Sequence, residues 1–478
     1  MFVLDLCYNQ IKNLPASFHT LNQLVSLDIT RNQLTQFVNM DGWTKITDLF
    51  LSSNQLQNLD LFHISESCHR LARLSAGYNK IQSDHQKWSP NSKLQQLYLS
   101  GNVIKSMSFD NLQNLTVLFL SENELESIPQ HLDQLLPMIR HLDFSCNKLT
   151  NVDALQQCTN ERILSVNFCL NQVQDAHHYK PNHLLTEVTS HQISHKDPNQ
   201  LAPHQSLYNT KVNSKWAFAH SIGPFRTSME DSMVINNDIT INDNLHLQLY
   251  AVFDGHAGEN TAKFAAERLQ PVVVNIFENK YAQLQTIDAQ CAEQALCEAL
   301  ETIDKQSEQF SDGCTAVVVM IVNKNTCVAV NIGDARAVLG NVDGSVMRLT
   351  HDHKPSDPSE RNRVLELGGV IMGGRINGYA VSRAIGDHFC RPFISSKPHT
   401  CLVDLNYGVH DLLVIACDGV WDVHSDLHAV EVVNQCLREN RSGDEQRDLF
   451  RAAQRLMGSS ICDRSTDNIS VILVKLDH

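Results

Sequence analysis

The chain has no apolar run long enough to span a membrane. Its longest, such as Ala316–Val322, are of strand length. Nor does it have a CxxC pair: its fourteen cysteines are scattered. Asp5 interrupts the first apolar residues, so no signal peptide is readable. Together these absences predict a reduced, soluble, intracellular protein, placed in the cytoplasm. Positive charge is also scarce, with 38 Lys+Arg against 53 Asp+Glu and a net charge of −15. Residues 1–173 hold 12 basic and 15 acidic side chains, or −3, so −12 falls in residues 174–478. That acidic half argues against nucleic acid and anionic membranes as partners, and it suits a site that collects divalent cations. At 478 residues, 42% hydrophobic and 19% charged, the chain reads as globular and too long for one small core.

The first 173 residues repeat. The pattern L-x-L-x-x-N-x-L, set by Leu4, Leu6, Asn9 and Ile11, recurs with asparagine at 32, 54, 79, 102, 123, 147 and 171. The spacings are 23, 22, 25, 23, 21, 24 and 24 residues. Eight copies at that period resemble leucine-rich repeats. Each copy predicts one short strand on a shared sheet, with leucines inward and the asparagine side chain tying the turn to backbone. One unit cannot bury its apolar face, so neighbours must stack. Cys7, Cys146 and Cys169 fall where a repeat takes a small apolar residue. The array begins at Met1 already inside a repeat, with no polar cap before it. Two readings of that stay open: a piece of something longer, or a first strand edge covered by another chain.

Residues 174–212 break the pattern with Pro181, Pro198 and Pro203 and with His177, His178, His183, His191, His195 and His204. The histidine spacing suits no particular metal geometry, and a polar linker is the better reading. From 213 to 478 β-rich runs alternate with a few helices. Strands are predicted at Ser232–Asn236, Leu245–Phe253, Thr315–Val322, Thr326–Ile332, Ala335–Leu339, Leu412–Ala416 and Ile469–Leu476. Short turns such as Asn323-Lys324-Asn325 favour antiparallel pairing. Helices are predicted at Glu259–Leu269 and Ala289–Gln309, the second with an apolar stripe. The expected architecture is multidomain α+β, a repeat solenoid followed by a layered domain.

The second half is organised around Leu249–Gly258, LYAVFDGHAG. An apolar strand ends in Asp254-Gly255-His256, and a helical pattern follows instead of a second hairpin strand. The turn therefore presents a carboxylate and an imidazole at the end of a buried strand. Other carboxylates also sit at predicted strand ends: Glu230 and Asp231, Asp334, Asp418 with Asp422 beyond it, and Asp467 before Asn468. Converging without cations, they would repel one another. Mg²⁺ and Mn²⁺, which take oxygen ligands, resolve that repulsion.

Eight ordered segments carry a resemblance: RTSMED (226–231), FDGHAG (253–258), DGCTAVVV (312–319), GDARAVL (333–339), LTHDHKP (349–355), AVSRAIGD (380–387), ACDGVWD (416–422) and TDNISV (466–471). In these, residues 213–478 resemble the metal-dependent protein phosphatase 2C family. The resemblance implies a β-sandwich of two antiparallel sheets flanked by helices, with a binuclear Mg²⁺ or Mn²⁺ centre at one end. It implies that Asp254 bridges two ions, that the Gly255 carbonyl ligates one, and that Asp418 and Asp467 hold the other. Glu230 and Asp231 would act mostly through waters, and Asp334 and Asp422, with Asp418, match a weaker third site. Arg226 would bind the substrate phosphate, His256 would protonate the leaving alkoxide, and Asp387 and Asn468 would support. A metal-activated water would attack phosphorus directly. No cysteine has an arginine six residues later, so the C-x5-R loop of tyrosine phosphatases is absent. The GNHE and GDxxDRG motifs of the other large serine/threonine phosphatase class are absent too. Ala257 stands where the family usually has glycine, and Asp312 enters a turn of usually small residues.

Repeats joined to such a domain are similar to the PH-domain leucine-rich-repeat phosphatases and to part of fungal adenylate cyclases. The expected function is phosphoserine/phosphothreonine hydrolysis, with the repeats binding a protein partner. The alternative is a repeat scaffold, related to Ras-type GTPase or adenylate cyclase signalling, with a weakly active or regulatory phosphatase-like domain. Alternation along L-x-x-L-x-L places Phe50, Tyr98 and Phe119 on the concave side as candidate partner anchors. Asp28, Asp48 and Asp143 beside them would favour a partner with a basic rim.

Overall fold

The computed structural model describes residues 2–37, 42–82, 88–90, 92–151, 154, 165–167, 171–172, 215–223, 225–242, 244–281, 288–439 and 444–476. The expected linker at 174–212, with its histidines, lies outside them. The chain divides into two compact units, one built on the N-terminal repeats and one on the C-terminal half. Among the described residues no helix is long and apolar enough to cross a membrane, and the cysteines are free thiols.

In the repeat unit, eight short strands form one parallel sheet in chain order, from Phe2–Asp5 to Ser165–Asn167. The alternate leucines Leu27, Leu49, Leu74, Leu97, Leu118 and Leu142 are buried in one continuous core. Each repeat's asparagine does the stitching. Asn102 Nδ2 donates to the Leu99 and Ser100 carbonyls of its own turn and to the Ala76 carbonyl of the repeat before. Its Oδ1 accepts from Ile81 N of that preceding repeat at 2.9 Å. Asn32, Asn54, Asn79, Asn123 and Asn147 do the same one repeat earlier or later. Asn102→Ala would leave buried backbone groups without partners. It is expected to lower stability by about 2–3 kcal/mol, read as a lower denaturant midpoint of the repeat transition; an unchanged midpoint would refute the stitching role.

The structure corrects the reading of the anchors. Phe50, Tyr98 and Phe119 are only 3%, 3% and 5% exposed. Parallel strands about 4.8 Å apart put Tyr98 opposite Phe119, and the rings meet edge to face at 5.5 Å. The Arg73 guanidinium lies 5.7 Å over the Phe50 ring, anchored by Asp48. Asp28 and Asp143 are buried as well, and each accepts a backbone N–H two residues on. Burial pushes the Asp143 carboxyl up to about 6. They close turns and do not form an exposed acidic rim.

The second unit is a sandwich of two five-stranded antiparallel sheets. One runs 232–242, 245–253, 316–322, 326–332 and 399–404; the other runs 346–348, 336–341, 410–416, 469–475 and 215–221. Period-2 alternation sorts their side chains. Tyr250, Val252, Val317 and Val319 of the first sheet meet Ala337, Leu339, Leu413, Ile415, Ile472 and Val474 of the second in one core. Leu249, Ala251, Phe253, Val318 and Met320 face the other way, against helices Asn260–Ile276 and Ala289–Gln306. A third, three-stranded sheet of Gly255–His256, Gly313–Cys314 and Ile385–Gly386 holds the turn after Phe253. Further helices, among them Pro358–Glu366 and Asp426–Glu439, complete the unit.

Candidate active site

The antiparallel register brings the acidic strand ends together. Ser232 pairs with Phe253, so Asp231, just before one strand, lies beside Asp254, just after the next. Asp418 follows strand His410–Ala416 and opens a one-turn helix. Asp467 precedes strand Ile469–Lys475, the neighbour of His410–Ala416. Asp334 follows strand Thr326–Ile332.

The electrostatics report the crowding. Burial, then the carboxylates of Asp418, Asp231, Asp334 and Asp467, push Asp254 well above the usual carboxylate range. Burial, with Asp334, Asp467 and Asp422, does the same to Asp418. Burial pushes Asp231 up to about 6, although Ser470 Oγ donates to it at 2.6 Å. Asp334 is raised by burial and pulled back by Lys354.

Two loops are shaped to this centre. Asn468 accepts from Glu230 N at 2.8 Å and donates to the Ile222 and Ser228 carbonyls. It thereby fixes the segment that carries Arg226, Glu230 and Asp231. At Gly255 a Cβ would stand 2.3 Å from the Glu230 carbonyl oxygen, so only glycine lets the two loops meet. Asp312 accepts from Asn260 N and Nδ2 and from Thr261 N and Oγ1. Its place in a small-residue turn is explained: it caps the helix that follows His256. Ala257, in contrast, holds φ +60, a region that disfavours a Cβ. Ala257→Gly is expected to raise stability by about 1 kcal/mol, measured as a higher Tm; a lower Tm would show that the methyl group packs usefully.

The centre also holds groups that the sequence reading missed. The Cys417 thiol and the carboxylates of Asp231 and Asp254 put their ligand atoms within 4.8 Å of one another. Lys354 Nζ lies 2.7 Å from Asp422 Oδ1 and 3.3 Å from Asp334 Oδ2. An ammonium thus bridges two carboxylates expected at a third metal site. Arg226, expected on the phosphate, pairs with Asp467 at 2.6 Å. His256 Nε2 meets Asp387 Oδ2 at 2.6 Å. LTHDHKP already held Lys354, but pattern alone does not say where its side chain goes.

The donor set fits divalent cations. It is rich in hard oxygen ligands, and Asp334 Oδ1 is buried without a hydrogen-bond partner. The protein phosphatase 2C family model matches residues 217–469, more than half of the chain. The chain belongs to the protein phosphatase 2C family. It is thus an enzyme of the protein serine/threonine phosphatase class, and a leucine-rich repeat model matches residues 69–125 of the same chain.

Protein phosphatase 2C homolog 1 of Schizosaccharomyces pombe is 35% identical over 258 residues, 53% of this chain and 70% of that protein. Protein phosphatase 2C homolog 1 of Saccharomyces cerevisiae is 30% identical over 273 residues, 53% of this chain and 89% of that protein. Protein phosphatase 1L of Bos taurus is 30% identical over 289 residues, 56% of this chain and 76% of that protein. Among solved structures, a C. elegans sex-determining protein matches with a TM-score of 0.50 at 24% identity, covering 57% of this chain and 67% of that one. That likeness is one of fold.

Proposed function

We propose that this chain is a phosphatase 2C that hydrolyses phosphoserine and phosphothreonine with Mg²⁺ or Mn²⁺, and that its repeats bind a protein partner. The observation that carries the reading is the crowd of carboxylates at one end of the sandwich, with His256 beside it. Asp254, the Gly255 carbonyl, Glu230 and Asp231 would hold one ion. Asp254, Asp418 and Asp467 would hold the second. Asp334, Asp418 and Asp422 would hold a weaker third, in competition with Lys354. Bound cations supply Lewis acidity toward water and charge neutralisation of the phosphate. Arg226, once released from Asp467, offers a fork donor to the phosphate oxygens. Water attacks phosphorus opposite the leaving oxygen, and the P–O bond to serine or threonine breaks. His256 gives its proton to that oxygen, leaving the free alcohol and inorganic phosphate. A cytoplasmic location is consistent with the free thiols.

The test is hydrolysis of p-nitrophenyl phosphate and of a phosphoserine peptide by the full chain. Turnover should require Mn²⁺ or Mg²⁺, stop in EDTA and return with excess Mn²⁺. Robust turnover in excess chelator would overturn the proposal. Mn²⁺ binding without turnover of either substrate would favour the scaffold reading.

A further inference from the structure

Of the two nitrogens of His256, one is already engaged. Nε2 lies 2.6 Å from Asp387 Oδ2, and no hydrogen bond involves Nδ1 among the described residues. A carboxylate can only accept, so Nε2 carries the hydrogen in that bond. The Tyr379 ring stands edge-on to the imidazole at 5.5 Å.

Asp387 turns Oδ2 to this contact, and the Tyr379 side chain also stands against its carboxylate. It is fully buried, and its second oxygen, Oδ1, has no partner. It precedes the short helical turn His388–Cys390 but makes no side-chain cap there. Its backbone is left-handed, with φ 49 and ψ 35, directly after Gly386 at φ +80. The three-stranded sheet puts Gly313 opposite both His256 and Gly386. A Cβ on Gly313 would stand 2.3 Å from Asp387 Oδ2 and 2.7 Å from His256 Nε2. The chain therefore gives up a side chain at 313 and accepts an unfavourable backbone at 387 where a buried carboxylate meets an imidazole. Such concentrations of strain and buried charge mark positions held for function.

We propose that Asp387 is the positioning residue of His256: it accepts the hydrogen bond from Nε2–H, fixes the ring, and leaves Nδ1 as the atom that gives its proton to the leaving serine or threonine oxygen. The inference rests on the phosphatase reading above and names the atom and the support behind its acid. Asparagine tolerates the left-handed backbone and can still accept from Nε2–H. Alanine can do neither as well.

Two measurements test it. Steady-state kinetics would compare Asp387→Ala and Asp387→Asn with the parent enzyme on a phosphoserine peptide and on p-nitrophenyl phosphate. Asp387→Ala is expected to lower kcat on the peptide by about 10²-fold, and on the aryl ester several-fold at most. KM and Mn²⁺ binding by calorimetry should hold, and Asp387→Asn should recover most of the peptide activity. Equal losses on both substrates in a folded, Mn²⁺-binding Asp387→Ala, or no loss on either, would overturn the proposal. Separately, ¹⁵N NMR of the histidine rings, with the His256 signals assigned by their loss in His256→Ala, reads the neutral tautomer of the unmutated protein. Hydrogen on Nε2 supports the proposal and hydrogen on Nδ1 overturns it, even if Asp387→Ala fails to fold. Should the unmutated enzyme hydrolyse neither substrate, the phosphatase reading fails, and the tautomer still reports on the His256–Asp387 contact.

Discussion

Asp254→Asn is expected to lower Mn²⁺-dependent phosphatase activity by at least about 10³-fold and, at the same time, to stabilise the metal-free protein. Both follow from the same crowding. In the proposed centre Asp254 would be shared by the donor sets of two ions, so an amide there would remove a charged ligand from each. In the chelated protein, however, that carboxylate faces Asp418, Asp231, Asp334 and Asp467 in a buried setting. Groups whose carboxyls are raised on folding bind more protons in the folded state than in the unfolded one. Their ionisation therefore opposes folding, and stability falls as pH rises through the raised values. Chelated parent protein should gain stability as pH is lowered from 7 towards 5, where Asp231, at about 6, takes up its proton. Asp254→Asn should flatten that dependence, and Mn²⁺ should abolish it in the parent. Thermal melts across pH with EDTA and with Mn²⁺ would check the whole pattern. A variant less stable than the parent in EDTA would show that the carboxylates do not repel as the geometry requires.

His256→Ala is expected to separate substrates by their leaving groups. Serine and threonine leave as strongly basic alkoxides and need a proton in the transition state. p-Nitrophenolate leaves without one. The loss on a phosphoserine peptide should be about 10²–10⁴-fold, and that on p-nitrophenyl phosphate much smaller. Phenyl phosphates of graded leaving-group acidity would give a steeper dependence in the variant. Parallel losses across the series would place His256 in binding or structure instead of proton transfer.

Much of this was legible in the residues because the relevant patterns are local. The asparagine period located the repeat strands, and apolar alternation located Leu245–Phe253 and Thr326–Ile332 to the residue. The carboxylates of the centre were recognisable because each stands at the end of a β run. Where the reading fell short, tertiary packing decided. The helix expected to stop at Leu269 runs to Ile276, through Pro271, since Val272, Val273 and Ile276 have a core to enter. That burial outweighs the backbone hydrogen bond Pro271 cannot make. Strand His399–Asp404 was missed because its burial is irregular at the sheet edge. Phe50, Tyr98 and Phe119 were misread because period 2 gives the face a side chain points to, not how closely it packs against its neighbours on the adjacent strands. Lys354 and Cys417 lie in recognisable segments, yet their closeness to the acids depends on which strands pair.

The asparagine stitching also has a direction. The bonds from Asn32, Asn54, Asn79, Asn102, Asn123 and Asn147 to a neighbouring repeat all run back toward the N-terminus. A chain made from its N-terminus therefore meets these bonds in the order in which they form. Every repeat leaving the ribosome carries the side chain that closes the repeat already outside, and it need not wait for anything still to be translated. The solenoid can grow at the pace of synthesis, one closed turn behind the newest asparagine.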